Sequence, residues 1–119
     1  MISLPKIAAW IAASTAVTAA FAQSPVVISK TLLGSSAHKE CLTVSDRQSV
    51  KYKYRAEAPI DFAIQYVDGA NTVYALRLHQ QTLASGTFLP KEARDYCLVW
   101  TNGAKQPILF RVEFARLAR

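Results

Sequence analysis

The sequence predicts an all-β fold: a single antiparallel β-sandwich of seven or eight strands, held by one disulfide and preceded by a cleavable signal peptide. Three observations carry that expectation. Apolar and polar residues alternate with period two over most of the chain beyond residue 25. Turn-forming clusters recur at roughly ten-residue intervals, the spacing of sandwiches and small barrels. Two cysteines, Cys41 and Cys97, stand far apart in a chain that opens like an exported one. With 119 residues, 51% hydrophobic and 18% charged, the chain has room for one small domain. It falls short of the roughly 200 residues that a TIM barrel, a kinase or a two-domain dehydrogenase needs.

Residues 1–22 read as the signal peptide. Lys6 is their only charge, the apolar run 7–21 is diluted by small residues, and Ala20-Phe21-Ala22 offers the small-x-small pattern of a cleavage site. The run is about 15 residues, where a spanning helix wants roughly 20, so an uncleaved anchor is the weaker alternative. Export places the protein in the periplasm or outside the cell, with no transmembrane segment in the mature chain. The domain then covers residues 23–114, and residues 115–119 form a short basic tail expected to fray.

Within the domain, residues 26–33 and 41–44 are strand candidates on either side of the flexible Gly34-Ser35-Ser36-Ala37. In the next strand, 49–57, Val50, Tyr52, Tyr54 and Ala56 alternate with Lys51, Lys53 and Arg55. Pro59 separates it from 60–67, where Ile60, Phe62, Ile64 and Tyr66 share a face. Asp68-Gly69-Ala70-Asn71 is a hairpin loop leading into 71–80, with Tyr74, Leu76 and Leu78 on a single face. Residues 82–89 make a weaker strand, and 96–101 (YCLVWT) is apolar on both faces, as a central strand would be. A loop at 102–107 precedes the closing strand 108–114. The expected core is Tyr52, Tyr54, Phe62, Ile64, Leu76, Leu98, Trp100, Phe110, Val112 and Phe114, each on the apolar parity of its strand.

An even cysteine count in an oxidising compartment is most simply a Cys41–Cys97 bridge. The alternative is a reactive thiol or a metal ligand with His38. A lone His-x-x-Cys, however, lacks the second ligand pair of a structural zinc site. Asp68 and Asn71 do not complete a calcium loop, and the single Met is the initiator. No metal and no cofactor is expected.

Catalytic patterns are thin. Ser36-Ala37-His38-Lys39 matches Ser-x-x-Lys formally, without the helix or the companion motifs of that enzyme class. Ser36, His79 and Asp61 can be written as a triad, but no spacing supports it. A non-enzyme is expected, and a cleft lined by His79 and a carboxylate is what an enzymatic reading would require.

Beyond residue 22 stand 13 Lys and Arg against 8 Asp and Glu. Lys51, Lys53 and Arg55 fall on one strand face about 7 Å apart. They are candidate binding residues for an anionic envelope surface or an envelope protein. The plainer reading is a solubility device on an edge or outward face. Nucleic acid is not an expected partner, because the chain is exported and because Tyr52 and Tyr54 point away from these cations and form no stacking platform.

Lys39-Glu40-Cys41, the Pro59 to Ile64 element, Gly86-Thr87-Phe88 and Tyr96-Cys97-Leu98-Val99-Trp100-Thr101-Asn102 together resemble the GOLD domain over residues 39–114. The family occurs in lumenal cargo receptors and in some lipid-transfer proteins. The resemblance implies a sandwich with a Cys41–Cys97 bridge that serves protein or lipid-surface interaction. This chain departs from the pattern in that Tyr96 directly adjoins Cys97. The expected function is therefore an exported, non-enzymatic interaction module binding a protein, lipid or glycan surface in the cell envelope. The alternative is a small cell-wall-directed hydrolase or an inhibitor of one.

Overall fold

The computed structural model describes residues 24–119, so the signal-peptide expectation for residues 1–22 lies outside the described residues. Six strands form: β1 (Val26–Leu32), β2 (Ser36–Val44), β3 (Gln48–Asp68), β4 (Asn71–Phe88), β5 (Arg94–Asn102) and β6 (Ile108–Ala118). Every pairing is antiparallel, in the order β1-β6-β3-β5-β2, with β4 on the far side of β3. No helix among the described residues is long and apolar enough to cross a membrane.

The expected count of seven or eight strands is corrected to six, all in one hydrogen-bonded sheet. The eight expected segments are present, but two pairs of them fuse. Residues 49–57 and 60–67 are one 21-residue strand. Pro59 falls in a break of the β3–β4 register between Arg55 and Ile60, where the missing N–H costs no ladder bond. Residues 71–80 and 82–89 likewise fuse into β4, across a bulge at Gln80, whose φ of 53° is positive.

The break in β3 bends the sheet back over itself. Up to Ala56, β3 has β6 as its second neighbour; from Asp61 to Gln65 it has β5 instead. Tyr52 and Phe62 are ten residues apart, roughly 33 Å along a straight strand, yet their ring centroids lie 4.9 Å apart. The two halves of one strand thus face each other across the core. Trp100 fills the middle, 5.2 Å from Phe62, 6.3 Å from Phe110 and 6.2 Å from Phe114, so it joins residues of both halves. Nine of the ten expected core residues are buried; Leu76 is partly buried against them.

The tail expectation is also corrected. β6 continues to Ala118, pairing Ala115 through Ala118 with Lys51 through Gln48, and the Arg119 side chain donates to the Gln48 and Pro90 carbonyls at 3.0 and 2.6 Å. A free ladder edge on β3 is what holds those residues in place.

Asn102, expected in a loop, is instead the last residue of β5 and fully buried. Its Nδ2 donates to the carbonyls of Leu32, Leu33 and Gln106 at 3.1, 3.2 and 2.8 Å, and its Oδ1 accepts from Ala104 N at 3.0 Å. The β1–β2 and β5–β6 loops are thereby tied together. Gly34 sits where they meet, and a Cβ there would collide with the Lys105 carbonyl.

Candidate functional site

The Cys41–Cys97 bridge is present, between directly opposed residues of β2 and β5 with Cα atoms 4.0 Å apart. It lies on the outer face and fastens β2, an edge strand, to the sheet. Such a bridge is at home in an oxidising compartment.

Ser36 and Lys39 lie three residues apart on β2 and so on opposite faces, which dissolves the Ser-x-x-Lys pattern. The Ser36 hydroxyl donates to the Leu33 carbonyl. His38 faces inward over Trp100 and Phe110, with Lys30 Nζ 3.4 Å from its Nδ1. Its Nε2 is 2.7 Å from the Glu40 carboxylate, at angles that do not make a hydrogen bond. Asp68 and Asn71 simply close the β3–β4 hairpin across Gly69, whose φ is 63°.

Lys51, Lys53 and Arg55 all point outward and are exposed, while Tyr52 and Tyr54 are buried beneath them. Their strand is not an edge: β4 and β6 flank it here. Edge protection therefore does not explain them. On β6, Arg111 stands directly opposite Arg55 and Glu113 opposite Lys53. On β4, Leu83 (62% exposed), Ser85 and Thr87 complete the face. Lys53, Arg55, Arg111, Glu113 and Leu83 enclose an open depression of about 580 Å³. Arg111 reaches Glu113 at 3.1 Å and Glu57 accepts from Leu109 N at 2.7 Å; no ion pair within the described residues involves Lys51, Lys53 or Arg55. Beneath, burial first, then Tyr52 and Asp61, push the Tyr54 hydroxyl up to about 12. That hydroxyl has no hydrogen-bond partner among the described residues.

A second site occupies the outer face of the other half. Small residues, Ala63 on β3 and Val99 on β5, make its floor, and the hollow above them measures about 430 Å³. Asp61, Gln65, Tyr74, Arg77, His79 and Thr101 line its sides. The bulge at Gln80 sets two β4 residues against one of β3, so Asp61 Oδ1 accepts hydrogen bonds from Gln80 N at 2.9 Å and Gln80 Nε2 at 3.0 Å, and His79 Nδ1 lies 3.0 Å from the same oxygen. Burial alone would raise the Asp61 carboxyl. The two bonds from Gln80, with the His79 and Arg77 charges, outweigh it and hold the carboxyl below its usual value.

The alternation places Tyr74 on a single face with Leu76 and Leu78, and the structure separates it from them. A register shift between Ile64 and Gln65 makes Ala75 an extra residue, which inverts the parity and sets Tyr74 outward beside Gln65, 48% exposed. The Arg77 guanidinium lies over its ring at 4.3 Å from the centroid. The structure thus brings Asp61 and His79 together and leaves Ser36 outside the hollow. Among the described residues no group of three or more His, Cys, Asp or Glu could hold a metal ion.

Neither a protein-family model nor a curated protein matches the chain. Among solved structures it is similar to the Yersinia pseudotuberculosis-derived mitogen, with a TM-score of 0.53 over 77% of this chain and 85% of that one, at 10% identity. At that identity the likeness shows a shared all-β fold and nothing about function.

Proposed function

We propose that this protein is an exported, non-enzymatic binding module, periplasmic or secreted, whose basic sheet face rests on an anionic surface of the cell envelope. One observation carries the reading. Lys51, Lys53, Arg55 and Arg111 stand together on one outward face, with Arg55 directly opposite Arg111, against only Glu113 and Glu57. Like charges placed directly across a ladder lower stability. A partner's anions would offset that cost and draw the face in by long-range attraction. Exposed Leu83 and Leu109 flank the cations and supply apolar contact at close range. The export signal in residues 1–22 and the bridge support an oxidising compartment. The two-layered GOLD-like sandwich remains part of the proposal, supported by the bridge from Cys41 to the Tyr96-Cys97 element and by the folded-over sheet.

The alternative, a small cell-wall hydrolase or its inhibitor, has the 3.0 Å Asp61–His79 pair in its favour.

The test is co-sedimentation with vesicles containing phosphatidylglycerol, against neutral vesicles, across a salt series. Binding to the anionic vesicles alone, weakening as screening shortens to below about 8–10 Å and lost in the Lys51→Glu/Lys53→Glu/Arg55→Glu variant with an unchanged circular dichroism spectrum, is the expected result. Equal binding by the triple variant overturns the proposal.

A further inference from the structure

We infer that the hollow between Tyr74 and Thr101 is a saccharide site, which takes one ring of a neutral, pyranose-type oligosaccharide. The inference does not rest on the basic-face reading, because the hollow lies on the other half of the folded sheet and shares none of its cations.

Charge balance argues for an uncharged ligand. The Asp61 carboxylate stands beside the Arg77 guanidinium and His79, so a free anion and a free cation each meet a like charge as well as an opposite one. Asp61 Oδ1 already accepts two hydrogen bonds from Gln80 and has His79 Nδ1 3.0 Å away, which crowds it against a metal ion and leaves Oδ2 as the atom offered to a ligand.

The rim then alternates in hydrogen-bond character. Asp61 Oδ2 accepts. His79 holds Nδ1 3.0 Å from Asp61 Oδ1 and presents its other nitrogen, Nε2, on a side chain that is 83% exposed. Arg77 donates, and the Gln65 amide and the Thr101 hydroxyl do both. Vicinal hydroxyls, each a donor and an acceptor, are the ligand chemistry that satisfies such a mixed rim. Pockets of this kind pair a few convergent polar groups with an apolar surface.

The apolar surface is also there. Ala63 and Val99 keep the floor low, and Tyr74 presents a ring at the rim, steadied by Arg77 at 4.3 Å. The C–H side of a pyranose ring packs on a surface of that kind, drawn by the negative face of the aromatic quadrupole. Two departures from regular ladder geometry build the site. The extra residue at Ala75 turns Tyr74 outward, and the bulge at Gln80 brings His79 and Gln80 onto Asp61. Bulges re-aim side chains at functional sites.

The experiment is a backbone-amide NMR titration of the full folded domain with cellotriose, chitotriose and maltotriose, and with trigalacturonate as the anionic comparison. Saturable shifts confined to the amides around Asp61, Gln65, Gln80 and Thr101 with at least one neutral trisaccharide are expected. Tyr74→Ala and His79→Ala, both exposed side chains whose loss leaves the core intact, should each weaken that binding about tenfold or more. The Lys51→Glu/Lys53→Glu/Arg55→Glu variant should bind the same sugar unchanged, which separates this site from the basic face. No shift with any neutral trisaccharide at tens of millimolar overturns the inference. So does binding of trigalacturonate alone, or neutral-sugar binding that Tyr74→Ala leaves untouched.

Discussion

The two halves of β3 follow one rule inward and opposite rules outward. Before the bend, Val50, Tyr52, Tyr54 and Ala56 fill the core; after it, Ile60, Phe62 and Ile64 do the same. Outward, the first half carries Lys51, Lys53 and Arg55 beside Glu113 and Arg111, and the second carries Asp61, Ala63 and Gln65 beside Val99 and Thr101. A ridge of cations results on one side and a polar hollow on the other. The core dictates every second residue and is indifferent to the rest, so the outward parity is where the two halves are free to differ in chemistry.

Four measurements would break or sharpen that comparison. Trp100 touches aromatic residues of both halves, so Trp100→Ala should destabilise both together by about 3–5 kcal/mol in urea unfolding. A loss confined to one half, seen by hydrogen exchange, would show the halves to be separate cores. The bridge acts on the second half only. Replacing both cysteines by Ser should cost about 2–4 kcal/mol and raise exchange first in β2.

Tyr54 belongs to the first half. Its hydroxyl is buried without a partner, so Tyr54→Phe should stabilise the fold by about 1 kcal/mol. The same hydroxyl sets an alkaline limit. Its folded pKa is raised to about 12, so its contribution is complete below the ordinary tyrosine value and is lost as pH climbs from 10 toward 12. Tyr54→Phe should flatten that part of the pH–stability curve. Asp61, in the second half, has the opposite sign and the smallest effect. Its carboxyl is depressed, so its contribution is present above about pH 4 and lost as pH falls through the lower folded value. The acid limb of the stability curve should be shallower in Asp61→Asn.

Much of this was legible in the sequence, and the misses have physical causes. Strict alternation from Val50 to Ala56 and from Ile60 to Ile64 reveals strands and core parity, because a half-buried strand cannot satisfy its core any other way. Pro59 reads as a stop, yet in a sharply bent strand the bend itself releases the ladder bond that Pro lacks. Tyr74 shares the sequence parity of Leu76 and Leu78, and one extra residue at Ala75 inverts it in the fold. The hollow left a faint trace: at His79-Gln80-Gln81-Thr82 the alternation stalls in four consecutive polar residues, as a bulge would make it. Asn102 beside Gly103 looks like turn chemistry, and its burial depends on two loops that meet only in the folded chain. The basic ladder was visible at once, whereas the opposing Arg111 comes from a strand more than fifty residues away.

The uninterrupted run of β3 through both halves of the sheet also governs how the chain folds. Neither half can be completed by a local hairpin, since one half needs β6 and the other β5, both far along the chain from the part of β3 they pair with. Such distant pairings raise contact order and slow the search for the native topology, because chain entropy is lost before the contacts repay it. Once formed, the shared strand denies the molecule an easy partial opening: peeling one half strips a backbone that the other half is using. Native-state exchange should therefore show a single cooperative unit spanning β3, β5 and β6, with only the β1, β2 and β4 margins opening at lower free energy.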